Sequence, residues 1–186
     1  MPGRLVLVVG PSGAGKDSLL RHAMRHFRND HRFVFPRRVI TRSAQAEAED
    51  HDTLNEGEFE LAKQAGAFAL HWQAHGLHYG IPVSIRDDLG RDRCVVSNVS
   101  RSIIAEAQGH FSDLAIIEIT AAPDVLLARL QQRARTDDGD LGARIARAAP
   151  IYPAGVTPIV IDNSGSLSDA ENAFESILSR LVKPSP

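Results

Sequence analysis

Residues 10–16, with the sequence GPSGAGK, constrain the fold of this chain more than any other stretch. They follow the continuous aliphatic run 5–9, which is typical of a buried parallel strand, and precede apolar residues at helical spacing in 17–27. A strand, a glycine-rich turn and a helix in this order form a loop whose backbone N–H groups and lysine surround phosphate oxygens. The predicted phosphate contacts are Gly10, Pro11, Ser12, Gly13, Ala14, Gly15 and Lys16.

The position after Lys16 normally holds Ser or Thr, which helps to bind Mg²⁺, but here it holds Asp17. A carboxylate oxygen also suits Mg²⁺. The next residue, Ser18, has a hydroxyl, although one step along a helix turns a side chain by about 100°. Asp17 and Ser18 are therefore the predicted metal ligands, and both are expected beside the bound phosphates. The alternative for Asp17 is an acid that the helix dipole merely favours at a helix N-terminus.

Strands alternate with helices along most of the chain, which predicts an α/β fold with a parallel β-sheet flanked by helices. Further strands are predicted at residues 94–97, 114–120 and 158–161, and further helices at residues 84–89, 101–109, 123–134, 144–149 and 168–182. The segment 37–82 breaks the alternation, with predicted strands at 37–41, 67–72 and 79–82, a polar loop at 43–52 and a helix at 56–64. We interpret it as an insertion in a single domain whose core is residues 1–36 and 83–186.

Composition narrows the choice of partner and compartment. Hydrophobic residues make up 43% and charged residues 24%, and the net charge is −2, so no overall basic field attracts nucleic acid or a membrane surface. No apolar run is long enough to span a bilayer. The one cysteine, Cys94, precedes two valines and is predicted to be a reduced strand residue. We expect a cytoplasmic monomer or homodimer that binds neither nucleic acid nor membrane.

Two further stretches accompany the glycine-rich loop: ITR at residues 40–42, which ends at Arg42, and H-G-x-x-Y-G at residues 75–80. In these stretches the chain resembles the guanylate kinase-like group of nucleoside monophosphate kinases, in which the matching arginine grips the acceptor phosphate. The residues that recognise guanine in that group do not carry over, since Leu70 replaces a glutamate and Ile81 replaces a Ser or Thr. Leaving the N–H groups of guanine unpaired costs several kcal/mol by order of magnitude, so guanylate kinase activity is not expected.

Six stretches of the chain form a second pattern: GPSGxGKDSLL, W-x-A-x-G-L-x-Y-G at 72–80, N-x-S-R at 98–101, R-x-R at 133–135, A-R-x-x-R-A at 143–148 and N-x-G-S-L at 163–167. In these stretches the chain is similar to the ribose 1,5-bisphosphate phosphokinases, which are relatives of guanylate kinase from phosphonate breakdown. The resemblance implies a P-loop NTPase fold that is guanylate kinase-like, with an inserted acceptor-binding subdomain and a lid. It also implies ATP and Mg²⁺ as cofactors and a sugar phosphate, ribose 1,5-bisphosphate, as the acceptor that becomes 5-phospho-α-D-ribose 1-diphosphate.

The same resemblance suggests roles for residues outside the loop. Arg133 and Arg144 would act in catalysis with Lys16, and Arg133 and Asn163 would contact ATP. Arg133, Arg144 and their neighbours Arg135 and Arg147 would belong to a lid at about 133–147. The acceptor would be bound by Arg38, Arg42, His75, Tyr79, Asn98 and Arg101. The alternatives are surface ion pairs for the arginines, packed rings for His75 and Tyr79, and a turn residue at a strand end for Asn98.

Two functions of other classes stay open from the sequence alone. One is a binding or scaffold module that has lost catalysis, against which the intact Lys16 and the set of arginines argue. The other is a kinase for a different small acceptor, such as a nucleotide or gluconate.

Overall fold

A computed structural model describes residues 3–41, 51–134 and 152–182. Its centre is a parallel five-stranded sheet in the order β2-β7-β1-β8-β9. The strands are β1 (Arg4–Val9), β2 (Phe33–Val34), β7 (Cys94–Asn98), β8 (Leu114–Thr120) and β9 (Ile159–Asp162). The α/β fold with a parallel sheet flanked by helices, predicted from the alternation of strands and helices, is confirmed.

Helices cover both faces of this sheet because its strands are apolar on both sides, as central parallel strands are. Against one face pack α1 (Lys16–His26) and the last helix, α6 (Leu167–Leu181), and residues of both share a buried cluster with Val6 and Val8. Against the other face pack α3 (Ile85–Gly90) and α4 (Ile104–His110), around Leu5 and Leu7. The remaining helix of the core, α5 (Pro123–Ala134), follows β8.

A second sheet lies within the segment predicted as an insertion. Its strand order is β4-β3-β6-β5, from β3 (Arg38–Ile40), β4 (His51–Thr53), β5 (Phe68–Ala74) and β6 (Leu77–Pro82). Helix α2 (Glu56–Gln64) precedes β5 and begins with a capping box, in which the side chains of Asn55 and Glu58 each accept a backbone N–H of the other residue. Leu70 and Ile81 are 1% and 0% exposed and join the cluster around Leu5, so this sheet packs against the core through apolar side chains.

The predicted elements differ from the structure at a few places. The predictions omitted β2, which has two residues, and placed a loop over the start of β4, whose polar residues are held in the sheet by parallel pairing with β3. The single helix predicted at 101–109 is a 3₁₀ turn, Arg101–Ile103, followed by α4, because the Ser100 side chain accepts the Ser102 N–H at the start of that turn. The helix predicted at 144–149 falls outside the described residues. Within the described part of the chain, no helix has the length and apolar character needed to cross a membrane.

Candidate active site

The glycine-rich loop connects the end of β1 to the start of α1. Its backbone requires glycine at three positions, since φ is 147° at Gly10, 85° at Gly13 and 93° at Gly15. At Gly10 a side chain is also excluded by space, because a Cβ atom would lie 2.0 Å from the carbonyl oxygen of Ile119 on β8. The loop is therefore held tightly against the sheet at the carboxyl ends of β1 and β8, with the N-terminus of α1 directly after it.

Lys16 is the first residue of α1, and its side chain folds back along the loop. Its Nζ atom donates to the carbonyl oxygens of Gly10 at 2.8 Å and Pro11 at 2.9 Å. These two contacts keep a positive charge beside the loop. Together with the N–H groups at the start of α1, this charge makes the loop a site for anionic oxygen.

Two residues from distant parts of the chain support the loop. Asn163, after β9, is 1% exposed, and its Nδ2 atom donates to the Ala14 carbonyl at 2.8 Å. Arg129 on α5 donates through NH2 to the Asn163 carbonyl at 2.9 Å. The sequence analysis predicted an adenine contact for Asn163 and did not single out Arg129. In the structure Asn163 holds the loop through its hydrogen bond to Ala14, and its contact with adenine stays a prediction.

Asp17, Asn98 and Arg38 meet beside the loop, and we refer to these three residues as the Asp17 cluster. The Nδ2 atom of Asn98 donates to the Asp17 Oδ1 atom at 2.7 Å, and an NH2 atom of Arg38 lies 3.9 Å from the same oxygen. Asn98 ends β7, which pairs with β1, so strand order brings it to the helix that follows β1. The sequence predicted all three residues as site residues but did not predict that Asp17 and Asn98 contact each other.

The Asp17 cluster lies in a cleft between α1 and the chain that leads into β3. Its walls are mostly apolar, and the lining residues that enclose it are Leu20, Met24, Phe35, Pro36 and Val96. Two further arginines also line it, Arg21 on α1 and Arg37 before β3. Arg37 forms an exposed ion pair with Asp52, at 3.0 Å from Nε to Oδ1. An apolar cleft with a few convergent polar groups at one place is typical of a site for a small molecule.

Arg101, predicted to bind the acceptor, forms an ion pair inside the protein. Its NH2 atom donates to the Glu118 Oε1 atom at 2.7 Å, and Glu118 is 7% exposed. Tyr152 lies beside this pair, where burial first, and then the Glu118 carboxylate, raise the pKa of the tyrosine hydroxyl to about 12. Arg101 is thus in an ion pair, but the pair is largely buried and is not the surface pair given as the alternative, and contact of Arg101 with the acceptor stays a prediction. Glu118 was missed, although one acid within the apolar stretch 114–120 was a signal for it.

The other predicted acceptor residues lie in the second sheet or outside the described part. His75 is exposed in the turn between β5 and β6 with φ of 53°, and the Tyr79 ring stacks on Trp72 with centroids 5.3 Å apart. The packed ring proposed as an alternative for Tyr79 is thus present. The residues outside the described ranges are Arg42, Arg135, Arg144 and Arg147, and the description of Arg133 stops at its backbone.

The residues around Asp17 fit a magnesium ion that arrives with phosphates. Within the described residues, no group of three or more His, Cys, Asp or Glu side chains is arranged to hold a metal ion. Mg²⁺ does not require such a group, because it is usually bound by one or two protein oxygens, water and substrate phosphates. The Oδ1 atom of Asp17 already accepts from Asn98, which leaves its Oδ2 atom and the Ser18 hydroxyl as the oxygens next to the loop lysine.

Comparison with known proteins finds no family model that matches the chain. The chain is 50% identical over 178 residues to ribose 1,5-bisphosphate phosphokinase PhnN from Acidiphilium cryptum, covering 96% of this chain and 93% of that protein. It is 47% identical over 165 residues to the protein of the same name from Bradyrhizobium diazoefficiens, covering 89% and 82%. The fold is similar to the crystal structure of guanylate kinase from Anaplasma phagocytophilum, with a TM-score of 0.68, 17% identity and coverage of 99% and 88%. That last likeness concerns the fold alone.

Proposed function

The chain belongs to the ribose 1,5-bisphosphate phosphokinase family, and we propose that it transfers the γ-phosphoryl group of ATP to the 1-phosphate of ribose 1,5-bisphosphate. The product is 5-phospho-α-D-ribose 1-diphosphate, and ADP leaves. The observation that carries the proposal is the 50% identity to a protein of that name across 96% of this chain. The phosphate-binding loop supplies the donor site that this reaction requires.

The donor half of the reaction uses the loop and Lys16. Phosphoryl transfer forms a bond from an oxygen of the acceptor phosphate to the γ-phosphorus and breaks the bond to the oxygen that bridges the β- and γ-phosphorus atoms. The protein mainly aligns the two groups and neutralises charge. Lys16 provides a fixed cation for this purpose. The acceptor oxygen is already ionised near neutral pH, so the reaction requires no side chain as a general base.

The acceptor half uses the cleft that contains the Asp17 cluster. Arg38 supplies a cation there, with a side chain that is 17% exposed and NH1 3.5 Å from the Asn98 carbonyl. We assign the acceptor phosphates to Arg38 and Arg42, and we retain His75, Tyr79 and Arg101 as further candidates. Arg133 and Arg144, in the lid that the family resemblance implies, remain our candidates for stabilising charge on the γ-phosphate. Mg²⁺ would neutralise charge on the ATP phosphates, with Asp17 and Ser18 as the candidate protein ligands.

Exclusion of guanine follows from the burial of two residues. Leu70 and Ile81, which replace the guanine-recognising residues, are fully covered and pack among Leu5, Leu7 and Val9. Neither side chain has a polar atom, so neither pairs with the N–H groups of a base. A site that lacks partners for those groups discriminates against the ligand that carries them. GMP is therefore expected to be a poor acceptor.

A panel of acceptors tests the proposal. Purified protein with ATP and Mg²⁺ is given ribose 1,5-bisphosphate, GMP or gluconate, and ADP formation is followed while phosphorus NMR identifies the product. We expect ribose 1,5-bisphosphate to give the highest kcat/KM, by about 10³-fold or more, and a diphosphate at C1. Comparable turnover of GMP or gluconate would assign the chain to another acceptor. Binding of ATP without turnover of any acceptor would favour a binding module.

A further inference from the structure

The carboxylate of Asp17 poses a chemical problem at a site for two highly charged phosphates. An ionised carboxylate only accepts hydrogen bonds, and it repels phosphate oxygens. Ribose 1,5-bisphosphate with ionised phosphates has two hydrogen-bond donors, its 2-hydroxyl and its 3-hydroxyl. The two sugar hydroxyls are therefore the only groups of that acceptor that can donate a hydrogen bond to a carboxylate.

The contact between Asp17 and Asn98 identifies which of their side-chain atoms remain as acceptors. Because Asp17 only accepts, the atom of Asn98 at 2.7 Å is its Nδ2 donor, and the orientation of the amide is settled. The Asn98 Oδ1 atom is then an acceptor. Neither Asn98 Oδ1 nor Asp17 Oδ2 accepts a hydrogen bond from any described residue. Asn98 is 8% exposed and lines the cleft, and its Oδ1 atom is an acceptor with no hydrogen-bond donor among the described residues.

Arg38 completes the arrangement with the opposite polarity. Its guanidinium group carries only donors, and it lies next to both Asp17 and Asn98. The cleft thus presents two acceptors, Asp17 Oδ2 and Asn98 Oδ1, and an adjacent donor group. Neighbouring hydroxyls beside a phosphate, as in a sugar phosphate, present the complementary pattern of two donors and an anion.

We propose that Asp17 and Asn98 bind the 2- and 3-hydroxyls of the acceptor ribose while Arg38 binds an oxygen of one of its phosphates. The proposal rests on the proposed function and deepens it, since it makes Asp17 a residue for acceptor specificity. It also explains why a carboxylate stands where a phosphate-binding loop usually has a hydroxyl. Binding of Mg²⁺ is left to the ATP phosphates and Ser18.

The test compares ribose 1,5-bisphosphate with 2-deoxyribose 1,5-bisphosphate in the native protein and in Asp17→Ser and Asn98→Ala. The native protein should prefer the ribose compound by about 10²-fold in kcat/KM, because a hydrogen bond to a charged acceptor is lost with the 2-hydroxyl. Asp17→Ser should reduce that preference about tenfold or more, and Asn98→Ala, which removes the donor that orients the Asp17 carboxylate, should reduce it several-fold. The KM for ATP and the half-saturating Mg²⁺ concentration should stay within about twofold of the native values.

Ser18→Ala is the matched control, at the neighbouring position of the same helix. It should raise the half-saturating Mg²⁺ concentration and leave the sugar preference unchanged. Thermal unfolding of each variant establishes that it is folded before its kinetics are compared, and the Asn98 variant keeps the test decisive if Asp17→Ser does not fold.

Three outcomes contradict the inference. An unchanged sugar preference together with a half-saturating Mg²⁺ concentration that changes in either direction in Asp17→Ser would make Asp17 a metal ligand. An unchanged preference with a changed unfolding temperature alone would make it an acid that stabilises the helix N-terminus. Native protein that turns over neither sugar phosphate would refute the proposed function itself, and the inference with it. That failure is distinct from the first two, in which ribose 1,5-bisphosphate is still phosphorylated.

Discussion

The phosphate-binding loop and the cleft that we propose for the acceptor are adjacent, but they are built in different ways. The loop is a single stretch, residues 10–16, whose functional groups are backbone N–H groups and one lysine that it holds with its own carbonyls. The cleft takes its polar groups from side chains on three separate elements. Asp17 and Asn98, which are in contact, are 81 residues apart in the chain.

The loop would therefore recognise phosphate in general, whereas the cleft would recognise one particular acceptor. Backbone groups recognise phosphate in any nucleotide, so a loop of this kind suits many kinases. Side chains on a scaffold can change one at a time, and the acceptor changes with them. The same principle applies to the buried Leu70 and Ile81, because neither side chain has a polar atom with which to pair a base.

The largest expected effect comes from removing the charge of the loop. Lys16→Met keeps the length of the side chain and should lower kcat by about 10³-fold, because a fixed cation is lost from the transferred group. The control is Lys63→Met on α2, where the lysine pairs with Glu60 at the surface and kcat should stay within about twofold. An equal loss of kcat in both variants would contradict a specific role for Lys16 in phosphoryl transfer.

Neighbouring arginines at the start of β3 test the cleft. Arg38→Gln should raise the KM for ribose 1,5-bisphosphate by about 10- to 100-fold, as expected for a lost charged hydrogen bond, with the KM for ATP unchanged. Arg37→Gln alters an exposed arginine at the edge of the cleft that already pairs with Asp52, with side chains 54% and 58% exposed, and should raise the KM for ribose 1,5-bisphosphate by no more than about threefold. A raised KM for ATP in Arg38→Gln would indicate that Arg38 binds ATP and not the acceptor.

A smaller effect is expected at Asn163, whose side chain donates to the backbone of the phosphate-binding loop. Asn163→Ala removes the donor to the buried Ala14 carbonyl, so it should destabilise the protein by about 1–3 kcal/mol and raise the KM for ATP several-fold. Chemical denaturation and steady-state kinetics measure the two quantities. A large rise in the KM for ATP with unchanged stability would instead indicate a direct contact between Asn163 and adenine.

The smallest effect is expected at the other end of β7 from Asn98. Cys94 is 1% exposed, and burial raises the pKa of its thiol to about 12, so almost no thiolate is present at pH 8. Native protein should react with a thiol reagent far more slowly than unfolded protein in urea, and Cys94→Ala should leave both KM values unchanged. Rapid reaction of the native protein, with loss of activity, would mean that Cys94 is accessible and that its modification disturbs the cleft.

Most of the fold could be predicted from the sequence because its signals are local. The run before the loop, the glycines and the helical stripe are contiguous, and the capping box of α2 lies within four residues of chain. The strands β2 and β4 could not be predicted in the same way, since they are short and are defined by their pairing with β7 and β3. Arg101 illustrates the limit at the site, because its pairing with Glu118 depends on two elements that the sequence does not show to be neighbours.

The sequence by itself determined the phosphate-binding loop, the family and the residues from which we draw the proposed acceptor site. These are properties of residue type and spacing, and they are present before the chain folds. Only the tertiary structure decided that Asn98 contacts Asp17, that Asn163 supports Ala14 and that Glu118 holds Arg101. The physical reason is that each of these contacts joins separate strands or helices, so it depends on strand order and register in the folded sheet.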